Sequence, residues 1–417
     1  MDLSHPSPAT LQAARHDWIW RARRSGLDLQ RARSSDYRDP FARDRARLLH
    51  SAASRRLMGK SQVPGLLGSM LPRAWQTHVL EVSQLSRGML RALQHLHAPG
   101  EPWLPWLPDV NLLEAVALGR SLGHAPFGPV GDRTLAELMR EHGGFDPRWQ
   151  ALRLMQRLEP HTPGHGLDLT RRTLLGLYDR AMLALPTPGR DPAGLAGQDW
   201  LLQPLSERDR RALLGVPPHG LRHAAVSLDG SIVQLAEQLA HAVHEFDDAL
   251  GLGAVPRTAW DAVVLDPGWA EAVDLQPVPL AQGLFAGPGP ARRQAVGALV
   301  NALLISVDIE ADPVVDEPLL HHRAQWIAPA QALVASLQGL VAQAWAQAPQ
   351  VAAASEEAGL ALRQLWSLAW AAPDLLGLPA HGAQPSDVWA RLLCDRLAGL
   401  TDAAALQLAH LGPPPGG

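Results

Sequence analysis

Apolar residues along the chain recur at helical spacing in a long succession of segments. In Ala42 to Lys60 the stripe is Leu48, Leu49, Ala52, Ala53 and Leu57, with Arg43, Arg47, Arg55 and Arg56 off it, which predicts one helix. A second helix is predicted from Gln76 to Leu96, burying Val79, Val82, Leu85, Met89 and Leu93. Asn111 is placed to cap a third, which runs to about Gly123 before Pro126 must end it. Further helices fit Arg133 to His142, Arg148 to Leu158, Thr170 to Leu185, Ser231 to Leu250, Ala291 to Val307, Ala328 to Ala346, Glu356 to Ala371 and Ser386 to His410. Between them, Val63 to Pro72, Glu101 to Pro108, Pro186 to Ala224 and Gly251 to Pro290 carry the proline and glycine of connections. No convincing period of two and no fixed-length repeat is visible, so the expected class is all-α.

Composition narrows the functional classes. The chain has 417 residues, 47% hydrophobic and 19% charged, which excludes a disordered chain. The formal charge of −4 argues against a dedicated nucleic-acid binder. The single cysteine, Cys394, excludes an internal disulfide framework and a Cys-rich zinc site. No apolar run long enough for a membrane span and no secretory leader is seen, so a cytoplasmic location is expected. Of 37 basic residues all but Lys60 are arginine, and 14 tryptophans outnumber 5 phenylalanines and 2 tyrosines. Both biases fit GC-rich codon usage and make the surviving lysine conspicuous.

Seven segments, in order between Arg31 and Leu411, carry a family pattern. YRDPFARDRARLLHSAASRRLMGKSQV (Tyr37 to Val63) is set against RDR-x-R-(I/L)-x-HS-x-A-F-RRL-x-x-KTQV, and THVLEVSQL (Thr77 to Leu85) against THSLEVAQI. LGRSLGHAPFGPVGD (Leu118 to Asp132) is set against xAHDLGHPPFGHxGE, and HGGFDPRWQALRL (His142 to Leu154) against HGGFEHNxQxLRI. LDLT (Leu167 to Thr170), VQLAEQLAHAVHEFDDAL (Val233 to Leu250) and CDRLAGLTDAAA (Cys394 to Ala405) complete the set. Together they resemble the deoxyguanosine-triphosphate triphosphohydrolase family of the HD phosphohydrolase superfamily.

The resemblance implies an HD-type helical core over residues 36–255, an N-terminal arm over 1–35, a C-terminal helical region over 256–411 and a flexible tail over 412–417. It implies cleavage of a deoxynucleoside triphosphate to nucleoside and tripolyphosphate at a Mn²⁺ or Mg²⁺ ion held by a His, a His-Asp pair and a distant Asp. In this chain those positions are His78, then Arg120 and Ser121, then Glu237. Arginine has no lone pair to donate to a metal, and a serine hydroxyl is a weak ligand. The family's catalytic His becomes Pro129 and its partner Glu becomes Asp132, while His124 is kept. On the substrate side the resemblance points to Gln62, Val63 and Lys60, and to His241 and Glu245 in place of a Tyr and an Asp.

These departures lead to three readings. The first is a catalytically degenerate protein that needs no cofactor, binds a deoxynucleoside triphosphate, and forms homo-oligomers or hetero-oligomers with an active paralogue. The second is an active triphosphohydrolase whose metal site is rebuilt from His78, His124, His241 and Glu237. The third is a scaffold for single-stranded nucleic acid, using the N-terminal arginine-rich arm; the arginines of the first helix could clamp phosphates or reach a single strand, and equally describe a solvated face. At finer scale, Arg120 either pairs with Glu237 or points to solvent. Lys60 is either functional or an accident of codon usage. Trp75 either narrows the substrate entrance or extends the core. His78 alone does not make a metal site, and His321 and His322 read as surface residues.

Overall fold

The computed structural model describes residues 16–27, 35, 37–65, 73–178, 198–214, 225–380 and 386–410. The expected tail at 412–417, most of the N-terminal arm (1–15 and 28–34), the last part of the helix expected over Thr170 to Leu185 and most of the connection at 186–224 lie outside these. The fold is predominantly helical, as the sequence pattern requires. The main helices are α1 (Pro40–Leu49), α2 (Ala52–Arg56), α3 (Trp75–Leu96), α4 (Val110–Arg120), α5 (Gly128–Leu138), α6 (Pro147–Arg153), α7 (Arg171–Leu177) and α8 (Leu228–Leu239). They continue with α9 (Pro290–Leu304), α10 (Ala328–Ala346), α11 (Pro349–Ala371), α12 (Ser386–Ala398) and α13 (Asp402–His410). A π-turn, Ala240–His244, extends α8 into a further helical stretch, Glu245–Gly251.

The α3 stripe is as expected, and it buries His78 alongside the apolar residues. Elsewhere local chemistry moved the boundaries. The helix expected over Ala42 to Lys60 is broken at Ser51, whose hydroxyl accepts from Ser54 N at 3.0 Å and starts α2 afresh. The Glu159 carboxylate accepts from Ala52 N and Ala53 N at the same break. Asp109, two residues before Asn111, caps α4 by accepting from Asn111 N at 2.7 Å. The last expected helix, Ser386 to His410, is two helices separated at 399–401. Gly251 to Pro290 is not a bare connection: it holds short helices Arg257–Trp260, Pro267–Ala272 and Pro277–Leu284, the latter two with proline in the first turn.

One two-stranded antiparallel sheet interrupts the helical pattern among the described residues. It joins β1 (Val307–Ala311) to β2 (His322–Trp326), in register from Val307 opposite Trp326 to Ala311 opposite His322. β2 buries alternate residues, so His322 lies inside at 5% exposure and not on the surface as its sequence suggested.

The main hydrophobic core runs from Trp20 to Ala344, with α4 packed between α1 and α3 and α8 laid along α3. A second core joins Ala125 to Phe145 with α11, α12 and α13. Among the described residues no helix is long and apolar enough to cross a membrane.

Candidate functional site

Four elements converge between the two cores. The start of α3 supplies Trp75 and His78, the end of α4 supplies Arg120 and Ser121, and the loop 122–127 with the start of α5 supplies His124 and Asp132. The α8 helix and its extension supply Glu237, His241 and Glu245. An isolated β-bridge, Ser61 to Ala74, brings Gln62 beside the start of α3, and Trp75 N donates to Lys60 O at 3.1 Å.

The loop is held in an uncommon shape. Phe127 and Gly128 both take left-handed backbone angles, φ 67° and 56°. A Cβ on Gly128 would lie 2.5 Å from Gln62 O, so only glycine allows the loop to rest on that bridge. Asp402, at the head of α13, fixes the arrangement from behind. One of its oxygens accepts from Phe127 N at 2.7 Å, and the other accepts from Ser61 N at 3.0 Å and Ser61 Oγ at 2.6 Å. The Lys60 ammonium works on the same side. It donates to His124 O at 2.5 Å and Ala398 O at 2.7 Å, fully buried, and burial together with nearby Arg56 pushes its pKa down to about 7. Val63 is half-buried beside Ala348 and Val351.

Within the cleft, Arg120 Nε donates to Glu237 Oε1 at 2.9 Å, which is the pairing that the two positions suggested. Both side chains are largely buried, at 8% and 20% exposure. Ser121 is buried where α4 ends. His124 Nδ1 lies 2.7 Å from Asp132 Oδ2, and Asp132 Oδ1 accepts from Ala125 N at 2.9 Å. Pro129 sits exposed in the first turn of α5, where its missing N–H costs no helical hydrogen bond.

His241 Nδ1 lies 2.5 Å from Glu245 Oε1, one turn along the helix. Burial opposes its protonation, but the hydrogen bond and charge of Glu245, with Glu237 adding, hold it above the ordinary imidazole range. His78 goes the other way. Burial, then repulsion from His241, His124, His244 and Arg73, hold it well below that range. The two rings are 4.7 Å apart between centroids, so a ring held towards its protonated form lies beside one held towards its neutral form. Trp75 stacks on His124 at 3.9 Å and 14°, and meets His78 edge-on at 5.4 Å and 87°. Its Nε1 is buried with no hydrogen-bond partner among the described residues, and the same holds for Gln62 Nε2.

A polar network that sequence reasoning missed lies next to this group. Arg73 Nε donates to Glu81 Oε1 at 2.7 Å, and Arg73 Nη1 donates to His244 O at 2.9 Å and to the Asp248 carboxylate. His244 Nδ1 lies 3.0 Å from Glu81 Oε2. The repeated three-residue interval, His78 to Glu81 and His241 to His244, is the signal that put these groups on the same helix faces.

The donor set does not suit a divalent metal. Arg120 offers no lone pair, Glu237 is engaged with it, and the Ser121 hydroxyl is neutral, which leaves His78 alone. Among the described residues no three His, Cys, Asp or Glu side chains come together as a metal-holding group.

Curated relatives cover most of this chain. A protein named deoxyguanosinetriphosphate triphosphohydrolase-like protein 1, from Vibrio cholerae, is 34% identical over 93% of this chain and 96% of its own. A deoxyguanosinetriphosphate triphosphohydrolase-like protein from Vibrio parahaemolyticus is 33% identical over 94% of this chain and 96% of its own. Another so named, from Shewanella sp. (strain MR-4), is 36% identical over 73% and 75%. No protein-family model matches the chain.

Proposed function

The chain belongs to the deoxyguanosinetriphosphate triphosphohydrolase-like family, and we propose that it is a catalytically silent member that binds a deoxynucleoside triphosphate without hydrolysing it. The observation that carries this reading is the Arg120–Glu237 ion pair at 2.9 Å, at two of the positions where the resemblance puts metal ligands. A guanidinium supplies fixed positive charge but cannot lower the pKa of a coordinated water, so it can balance phosphate charge without generating a nucleophile. His241 is held towards its protonated form by Glu245 at 2.5 Å. Pro129 removes the proton-handling side chain that the resemblance puts at that position, and His124 is held through Nδ1 by Asp132. We further propose that such a protein acts in the cytoplasm as an oligomer, with itself or with an active paralogue, where nucleotide binding rather than turnover is the output.

The test is tripolyphosphate release from each of the four deoxynucleoside triphosphates with Mn²⁺ or Mg²⁺. Calorimetry of nucleotide binding, with and without chelator, runs beside it. The expected result is no release and binding that the chelator leaves unchanged. Metal-dependent release that His78→Ala abolishes would overturn the reading in favour of an active enzyme. The contacts of His78 and His124 with Trp75, and of His241 with His78, are what that alternative has in its favour.

The nucleic-acid reading is weaker, because all four arginines of the first predicted helix have partners, Arg43 at Arg38 O and Arg55 at His50 O among them. Arg47 Nη1 donates to Leu167 O at 2.9 Å, and Arg56 lies 3.7 Å from Glu159. Single-strand binding with a steep salt dependence would revive it.

A further inference from the structure

Among the described residues, each cationic group at the cleft already faces an acceptor of this chain. Arg120 Nε lies 2.9 Å from Glu237 Oε1, and His241 Nδ1 lies 2.5 Å from Glu245 Oε1. Glu237 also favours the protonated form of His241, so the two pairs share one field. His124 Nδ1 is 2.7 Å from Asp132. At the rim Arg73 meets Glu81 at 2.7 Å, Asp247 at 3.7 Å and the Asp248 carboxylate. The lysine, Lys60, is fully buried with its ammonium on two carbonyl oxygens. Arg120 and His241 are thus matched one to one by carboxylates, and at the rim three carboxylates stand against one guanidinium.

A triphosphate brings several negative charges to this arrangement. A phosphate oxygen can approach Arg120 or His241 only by standing beside Glu237 or Glu245, so the attraction of the cation is offset by repulsion from the carboxylate that already holds it. The capacity left over is uncharged. Gln62, 7% exposed, has an Nε2 with no partner among the described residues, and an amide N–H suits a hydroxyl or carbonyl oxygen of a sugar or a base.

We infer that Glu237 and Glu245 are specificity-determining residues: they hold Arg120 and His241 in balanced pairs, so that a nucleotide is recognised through its deoxynucleoside end and its phosphates add no net affinity. This rests on the nucleotide-binding reading and names the part of the ligand on which binding turns. The ligand class then includes the unphosphorylated deoxynucleoside.

The experiment compares each of the four deoxynucleosides with its own 5′-monophosphate and 5′-triphosphate. Binding to the full chain is measured by calorimetry in chelator, at low and at high salt. The expected result is a triphosphate that binds no tighter than its deoxynucleoside, the two converging as salt screens the carboxylates. In Glu237→Gln and in Glu245→Gln the ratio of triphosphate to deoxynucleoside affinity should rise about tenfold, because the amide keeps the shape and removes the charge. Should one variant fail to fold, the wild-type series and the other variant still decide.

A wild-type chain that binds a triphosphate about tenfold tighter than its deoxynucleoside, more so at low salt, overturns the inference and leaves the nucleotide-binding reading in place. So does an affinity ratio that neither variant changes. A chain that binds neither the deoxynucleosides nor their phosphates ends that reading, and the inference with it.

Discussion

Two regions of this protein bury polar groups, and they do so in opposite ways. Around Asp44 every valence is met. One carboxylate oxygen accepts from Arg23 at 2.5 Å, and the other accepts from Thr170 N, Thr170 Oγ1 and Thr173 Oγ1 at 2.7 to 2.9 Å. Arg23 also donates to Asp168 O and Pro40 O, tying the residues before α1 to the loop that precedes α7. The cleft is not satisfied in this way. It holds two orphan donors, a histidine held towards its neutral form against one held towards its protonated form, and an Arg120–Glu237 ion pair at 2.9 Å between α4 and α8. A polar cluster built to hold the chain together closes on itself. One built to meet a ligand keeps capacity in reserve.

The largest effect is expected in the closed cluster. Asp44→Ala leaves the Arg23 guanidinium buried without its counter-charge and should destabilise the fold by about 3–5 kcal/mol, read as a lower urea midpoint. Asp402→Ala comes next, at about 2 kcal/mol, because three donors lose their acceptor at once. It should also disturb the His124 loop, visible in the ring-proton shifts of His124.

In the cleft, Arg120→Met alone should cost about 1–3 kcal/mol by stranding Glu237, whereas Arg120→Met with Glu237→Leu should be close to neutral. A full double-mutant cycle measures that coupling. Equal losses for the Asp44 and Arg120 single variants, with no recovery in the double, would mean that the cleft pair is structural after all.

How much of this could be read from the sequence depended on whether the deciding interaction was local. The α3 stripe was legible because Val79, Val82, Leu85, Met89 and Leu93 share one face at helical spacing. The break at Ser51 was not, because a serine inside an apolar-periodic run competes for backbone N–H groups only when something like Glu159 helps to satisfy the exposed helix end. β1 does alternate, Val307 and Ile309 against Asp308 and Glu310, but five residues at the end of a helical pattern are too few to set a period. At the site, the positions of Arg120 and Glu237 were legible from family motifs. The Arg73 network was not, since it joins residues some 170 positions apart. The two orphan donors could not be seen at all, because satisfaction of a hydrogen bond is a property of packing and not of residue type.

The smallest effect separates the regions by pH. His322, on β2, is held down to about 4 by burial, with His321 adding repulsion, and its Nδ1 has no partner among the described residues. An unfolded histidine titrates near pH 6.5. Between those two values the unfolded chain holds a proton that the native state does not, so stability falls as pH drops from about 6.5 towards about 4 and levels off below. The slope contributed by one such group approaches about 1.4 kcal/mol per pH unit. His78 in the cleft has the same sign, since burial also holds it below the ordinary range. His322→Phe should therefore remove one share of the acid sensitivity and His78→Asn another, measured as urea midpoints between pH 4 and 7. Only the His78 share should shrink when a nucleotide is bound, because a ligand that brings negative charge into the cleft favours protonation of the rings around it. A His322 share that also responds to nucleotide would show that the sheet and the cleft are coupled, and would end the division between a closed frame and an open site.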